Sequence, residues 1–559
     1  MQSAPPAPSL RHRVFYGTAI HSRSLTEIEF LRDALIAVDE HGIIRLVEEG
    51  VQEDEVEQRF EAIGWKKVEV ELVRMKKGEF LIPGLIDTHT HAPQHINLGY
   101  GQQYELLDWL TNVTFPAEVK FRDPAYARRT YEGVVQRVIN SGTTTCCWYG
   151  TLHMTTQILA AICHRRGQRA FVGKCNMDRN SAPDYQEESA AKSLADTEQY
   201  VSFVRSKCAS PLRSASNQTT SSLVQPIITP RFAISCSDEL LEGLGKMLEK
   251  DKDLPCQTHL AENPSEIEFT KCKSSNLTLL PYRHLTSDPD HSSTFTALFP
   301  FASSYTHVYD HFRLLRRNTI LAHCVHLSSP ELDLIKQRDS GISHCPDSNF
   351  NLRSGTAGVA EMLDRGVKVG LGTDVSGGLA IGILSAIRAA STASKTIVFR
   401  SRDSAAGSLS TPDLSSLSVS PDGLSRPRGF FSSRHLSLET LFYLATLGGA
   451  QLCCLEDRIG NFQVGKEFDA LLVQTGQREA APVATGRAGP GEEEIKALSE
   501  EVAHAFPDEE VFNPALLVEP EEAIEKVFEK FLFAGDDRNL GSVFVRGRVI
   551  GGARPIAKV

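Results

Sequence analysis

Phe80-Leu-Ile-Pro-Gly-Leu-Ile-Asp-Thr-His-Thr-His91 is the stretch whose reading decides the fold of this chain. It reads as a buried strand ending in two histidines, with Leu81, Ile82, Leu85 and Ile86 as the apolar run and Pro83-Gly84 at its entry. Side chains two apart on a strand point to the same side. His89 and His91 therefore face one point in space, as a metal site requires. Alone, His-x-His is a weak signal, because hydrogen-bonded histidines at a strand end are commoner than ligands. Its weight comes from what surrounds it.

Outward from this stretch, short apolar runs alternate with longer amphipathic segments. Eight runs stand out: Leu85–His91, Thr143–Gly150, Ala170–Asn176, Pro226–Arg231, Gln257–Glu262, Ile320–His323, Ile342–Ser348 and Val367–Asp374. Helical patterns lie between them at Tyr126–Asn140, Glu187–Arg205, Asp238–Lys250 and Pro330–Arg338. Eight strands alternating with helices predict an α/β fold, a closed (β/α)8 TIM-like barrel. In that fold the polar residues at the C-terminal ends of the strands converge. The pattern thus brings together His89, His91, Arg231, His259, Glu262, His323 and Asp374. Before the barrel, the β-type runs Val14–Tyr16, Ala34–Val38, Ile43–Leu46 and Val68–Val73 predict a small antiparallel sheet. After it, Asp469–Val473 and Ser542–Arg546 resume that sheet, giving a discontinuous β-sandwich domain from both chain ends. The expected division is a disordered tail over 1–12, the small domain over 13–80 and the barrel over 81–457. The small domain resumes over 458–559. Three stretches read as insertions: Ser-rich 207–223, Ser/Pro/Gly-rich 401–434, expected to be disordered, and 475–510.

Composition removes several function classes. The chain has 559 residues, 41% hydrophobic and 23% charged, with a net charge of -11. A negative balance disfavours nucleic acid or an anionic membrane surface as a partner. No run approaches the ~18 apolar residues of a membrane span. Twelve cysteines without a secretory leader read as reduced thiols. With Ala557-Lys-Val559 in place of a Ser-Lys-Leu ending, the expected location is the cytoplasm.

His89, His91, His259 and Asp374 make a borderline nitrogen/oxygen ligand set that suits one Zn²⁺ and accommodates Fe²⁺. Such a metal lowers the pKa of a bound water toward ~7. Glu262, three residues past His259, is placed to shuttle a proton. His323 can stabilise developing charge, with His326 as the competing choice. Arg231, Phe232 and Gln94 offer a bidentate donor, a stacking ring and an amide for a flat heterocycle. Lys174 ends the third run, where a carbamylated lysine can bridge two metals, but the four ligands already complete a mononuclear set. The His-x-Glu…Pro-Cys-x-x-Cys signature of the unrelated zinc cytidine deaminases is absent.

Pro83-Gly-Leu-Ile-Asp-Thr-His-Thr-His91, His259-Leu-Ala-Glu-Asn263, a strand-end His323 and Gly370-Leu-Gly-Thr-Asp374 together resemble the amidohydrolase superfamily. Further stretches resemble its guanine deaminase family. They include Leu107-Asp-Trp-Leu-Thr111, Thr114-Phe-Pro-Ala-Glu118, Ile228-Thr-Pro-Arg-Phe232, His344-Cys-Pro-Asp-Ser-Asn349 and Gly535-Asp-Asp-Arg-Asn539. The resemblance implies zinc ligands at His89, His91, His259 and Asp374. It implies substrate contacts from Gln94, Arg231, Phe232, His259, Glu262 and His323, with Glu262, His323 and Asp374 catalytic. The implied reaction is hydrolysis of guanine to xanthine and ammonia by a homodimer. Asp347 and Ser376 depart from the family pattern near the site. Two other readings remain: hydrolysis of another aminated heterocycle (an oxidised guanine, a pterin or a triazine), or a scaffold without activity.

Overall fold

The computed structural model describes residues 12–209, 222–271, 298–403, 411–477, 513 and 515–556. The expected tail over residues 1–12 apart from His12, most of the 207–223 insertion and nearly all of 475–510 lie outside the described residues.

The founding stretch is two strands, not one. Strands β1 (His12–Ser24), β2 (Glu27–Val38), β3 (Ile44–Glu48), β4 (Val70–Arg74) and β5 (Glu79–Pro83) belong to one sheet. Strand β6 (Leu85–His91) begins another. The change of sheet falls at Gly84. Its N–H donates to the Asp469 carbonyl at 2.9 Å. A Cβ there would stand 2.0 Å from Thr144 Oγ1, so only glycine lets the two sheets approach. The change of sheet falls four residues past the expected division at residue 80.

From β6 the eight predicted runs appear in order. They are β6, β7 (Thr143–Tyr149), β8 (Arg169–Gly173) with β9 (Cys175–Asn176), and β10 (Val224–Pro226) with β11 (Thr229–Pro230). Then come β12 (Cys256–Leu260), β13 (Thr319–His323), β14 (Gly341–His344) and β15 (Lys368–Leu371). Neighbours pair in parallel: β6 with β7, β7 with β8, β8 with β10, β9 with β11, and β12 through β15 in succession. An Ile228–Cys256 bridge joins the two halves. The eighth run returns to the first through Asp374 N–H on the His89 carbonyl at 2.9 Å and Thr88 Oγ1–H on the Leu371 carbonyl at 2.9 Å. The seventh run is shorter as a strand than its apolar pattern implied. It ends at His344, because Pro346 opens the helix Pro346–Asn351.

Parallel strands need long crossovers, and amphipathic helices supply them. Pro124–Asn140 starts on Asp123, whose side chain accepts from Ala125 N–H, and has Pro124 in its first turn. Asp238–Lys250 is capped by Ser237 and buries Leu240, Leu241, Leu244 and Leu248, one helical face. Ser328 and Glu331 form a capping box ahead of Ser329–Gln337.

Both chain ends build the first sheet, which has eight strands. Strands β18 (Ala470–Gln474), β19 (Leu540–Val545) and β20 (Arg548–Gly551) continue it in the order β20-β19-β18-β5-β1-β2-β3, with β4 also on β1. It is mixed rather than antiparallel: β1 runs parallel to β4 and β5. The helix Val56–Ala62 lies in the crossover that makes this possible. A register shift at Gly17 bends β1 so that its first half pairs β4 and its second half pairs β5. Phe15 then stacks on Phe468 at 4.7 Å and meets Phe544 edge-on at 5.4 Å.

The expected disorder over 401–434 is corrected in part. Strands β16 (Asp413–Val419) and β17 (Ser425–Arg428) form an antiparallel hairpin. Asp422 holds it: its carboxylate accepts from Arg426 at 2.6 Å and from Leu25 N–H at 2.9 Å. Phe431 follows, buried, with its N–H on Asp364. A polar composition concealed this anchoring because the stabilising groups are themselves polar. All described cysteines carry free thiols. No helix among the described residues is long and apolar enough to cross a membrane.

Candidate active site

The strand ends turn sharply into the site. Ala261, His323, Cys324 and Asp374 hold φ between 45° and 69°, a region that non-glycine residues rarely occupy. These turns, at the ends of β12, β13 and β15, set side chains around one point beside those of β6.

His89 and His91 both reach Asp374 Oδ1 with Nε2, at 3.2 and 3.3 Å. His91 Nε2 stands 3.1 Å from His259 Nε2. His259 donates its Nδ1–H to the Arg231 carbonyl at 2.6 Å, which leaves Nε2 as a lone pair aimed into the cluster. Atoms of His89, His259, His323 and Asp374 all lie within 4.8 Å of one another. Buried His89 Nε2 and His323 Nε2 make no hydrogen bond. Burial, then the neighbouring charges, pushes His91 and His259 well below the ordinary imidazole range, so both are neutral. Burial pushes Asp374 up, but His89, His323 and His259 outweigh it and hold the carboxyl below its usual range. Neutral imidazoles converging on an ionised carboxylate are the donor set of a divalent cation, and these residues fit one.

Glu262 lies just beyond. Burial above all, with Asp374 and Glu266 beside it, drives its carboxyl well above the ordinary range. Ser354 Oγ–H donates to Glu262 Oε1 at 3.2 Å, and Glu262 Oε2 lies 3.4 Å from His323 Nε2. His323 also faces Asp374 Oδ2 at 3.7 Å, and Asn349 Oδ1 holds its Nδ1 at 3.0 Å. His326 points elsewhere, with Nε2 on the Ser354 carbonyl at 2.7 Å, so it steadies the loop that holds Glu262.

A narrow cavity opens above these groups. His91, Gln94, Arg231, Phe232, His259, Glu262 and Asp374 line it together with Leu106, Trp109, Leu110 and Leu352. Arg231 is fully buried and bidentate to Glu118, at 2.8 and 3.2 Å. Burial opposes its charge, but Glu118 outweighs it and raises the guanidinium pKa.

Of the residues expected at the mouth, His91, Gln94, Arg231, Phe232, His259, Glu262 and Asp374 line the cavity, and His89 and His323 stand against Asp374. Lys174 is not among the cluster: it pairs with Glu187 and donates to the Cys175 carbonyl. Asp347 accepts from Leu379 N–H at 2.7 Å and so holds the segment after Asp374. Ser376 N–H donates to Gln94 Oε1 at 3.3 Å. Sequence reasoning gave no role to Glu118, Asn349, Ser354 or Trp109. Glu118, Asn349 and Trp109 stand in stretches already singled out by resemblance, but Ser354 carried no signal.

Residues 80–550 match the model of the amidohydrolase family. The chain is 37% identical over 542 residues to guanine deaminase of Dictyostelium discoideum, covering 96% of this chain and 98% of that one. It is 34% identical to guanine deaminase of Homo sapiens, covering 98% of each. Among solved structures, guanine deaminase from C. acetobutylicum with bound guanine in the active site superposes with a TM-score of 0.69. That pair shares 29% identity over 96% of this chain and 99% of the other. On a family pattern that spans most of its length, with full-length relatives at this identity, the chain belongs to the amidohydrolase family.

Proposed function

We propose that this protein is a metal-dependent hydrolase that converts guanine to xanthine and ammonia, a step in purine breakdown. The observation that carries the reading is the convergence of His89, His91, His259 and Asp374 beside a buried Glu262, under a cavity floored by Arg231 and Gln94. The guanine deaminases similar to it along their whole length support the choice of substrate. The fold is best described as a (β/α)8 barrel with a β-sandwich from both chain ends. The parallel pairing of neighbouring runs, the Ile228–Cys256 bridge between the two halves and the register shift of β1 at Gly17 support that description.

His89, His91, His259 and Asp374 would hold one Zn²⁺. When bound, it supplies the acidity that makes water a nucleophile at neutral pH. Arg231, Gln94 and Phe232 orient the purine so that C2 and its amine face the cluster. Asp374 takes a proton from the attacking water and returns it to the amine, which leaves as ammonia. Glu262, driven toward its protonated form, gives its proton to the ring nitrogen beside C2. It recovers one from the added hydroxyl as the C2 carbonyl forms. His323, steadied by Asn349, stands between both carboxyl groups and stabilises the oxygen added at C2. The homodimer implied by resemblance and the cytoplasmic setting expected from the sequence belong to this proposal.

Incubating the metal-loaded protein with guanine, aminopterins and aminotriazines in parallel tests the substrate. Xanthine formation from guanine alone is the expected result. Faster ammonia release from a triazine or pterin would overturn it.

A further inference from the structure

Glu118 takes no part in the reaction as described, yet it is among the most completely engaged side chains of the site. It is fully buried and does not line the cavity. Its Oε1 accepts from Arg231 Nη2 at 3.2 Å and from Gln94 Nε2 at 2.8 Å. Its Oε2 accepts from Arg231 Nη1 at 2.8 Å and from Tyr185 Oη–H at 2.5 Å. A carboxylate has about four lone-pair positions, and all four are taken. Glu118 therefore has nothing left for a ligand and acts only through the residues it holds.

What it holds are the two polar groups of the cavity floor. A carboxylate only accepts, so Gln94 must turn its NH₂ toward Glu118 and its carbonyl oxygen away. The Ser376 N–H on Gln94 Oε1 fixes the same orientation from the other side. The two contacts are independent and agree, so the amide is set. Arg231 can present only N–H donors. The floor thus offers donors from Arg231 next to an acceptor from Gln94.

From this geometry we infer that Glu118 is the specificity-positioning residue of the site. By fixing the Gln94 amide beside Arg231, it selects purines with a lactam edge, O=C–N–H, over those with an amidine edge. The inference rests on the guanine reading and deepens it. Guanine carries such an edge at O6 and N1–H, adjacent to C2. A 6-aminopurine reverses both partners: its amino group meets Arg231 donors and its bare ring nitrogen meets the Gln94 oxygen. Leaving buried polar groups mismatched is what gives such sites their discrimination.

The test uses Glu118→Gln and Glu118→Asp in the full-length, metal-loaded protein. Glu118→Gln leaves one acceptor oxygen where the carboxylate had two, so Gln94 and Arg231 can no longer both be held and the amide is free to turn. Glu118→Asp keeps the charge beside Arg231 and folds even where Glu118→Gln does not, but is one methylene too short to hold both partners. The probes are hypoxanthine and adenine as competitors of guanine turnover. In the wild type, hypoxanthine should inhibit at least about tenfold more strongly than adenine. In either variant that ratio should fall toward one, KM for guanine should rise about tenfold or more, and kcat and metal content should change little. An unchanged inhibition ratio in a folded, metal-loaded variant overturns the inference, whatever happens to its Tm. Wild-type protein inert on guanine overturns the substrate reading instead, so the two failures are distinct.

Discussion

At the residue scale, the sharpest question is which histidines hold the metal. His91 and His323 both approach Asp374, at 3.3 and 3.7 Å, but their surroundings differ. His91 Nε2 directly faces the lone pair of His259, whereas His323 stands between Asp374 and Glu262 and is tied to Asn349. The expected outcome is that His91→Ala loses its metal, while His323→Ala keeps metal and loses about 10²–10³-fold in kcat. Elemental analysis beside turnover checks this, and metal-free His323→Ala with metal-loaded His91→Ala would reverse the assignment. Glu262→Gln removes a proton carrier without removing a ligand. A fall in kcat of about 10³-fold with unchanged metal content is expected. The proposed ligands and Glu262 were legible because they follow apolar runs that read as buried strands. Ser354 and Asn349 were not, because they act through hydrogen bonds between segments that no spacing in the sequence connects. Glu118 lies between the two cases: its stretch was recognisable, but its role depends on meeting Arg231, 113 positions away.

At the scale of elements, periodicity found all eight parallel runs and several crossover helices. It failed where two elements meet without a polar gap. Phe80–Ile86 carries no polar side chain, yet Gly84 passes the chain from one sheet to another. It also failed at the hairpin of β16 and β17, whose anchoring is electrostatic rather than hydrophobic. Asp422→Ala removes the bonds to Arg426 and Leu25 and should release that hairpin. Limited trypsin digestion is then expected to cut after Arg428 several-fold faster, with guanine turnover unchanged. Equal cleavage of variant and wild type would show that packing, not Asp422, holds the hairpin. The segment that carries the cavity roof has its own irregularity. A π-helical turn at Leu110–Thr114 sits between Trp109, which lines the cavity, and Glu118, which holds its floor. Such turns recur at functional sites because they re-aim side chains within a continuous helix.

At the scale of the whole molecule, a buried charge cluster joins the parallel strands to the eight-stranded sheet. Arg169 on β8 donates to Asp469 at 2.8 Å and to Glu467 at 2.6 Å, and Arg546 donates to Glu467 at 2.5 Å. Burial raises the Glu467 pKa, but Arg169, Arg458 and Arg546 outweigh it and hold the carboxyl below its ordinary value. A depressed folded-state pKa contributes stability above the unfolded value, about 4.3, and loses it as pH falls toward the folded value. Tm should therefore drop on acidification below about pH 4.5. Glu467→Gln should melt several degrees lower at neutral pH and with a shallower acid slope. A variant with wild-type Tm and slope would contradict this role. Metal removal acts on the same scale, since a ligand bound only to the folded state stabilises it. Chelation should lower Tm by several degrees, and added Zn²⁺ should restore it. The measurement that bears most directly on the whole account is xanthine and ammonia release from guanine by metal-analysed protein, with Glu262→Gln beside it. The account predicts equal amounts of both products, one metal per chain, and near-complete loss of turnover in a variant that keeps its metal. A fully metal-loaded wild type that leaves guanine unchanged would contradict it.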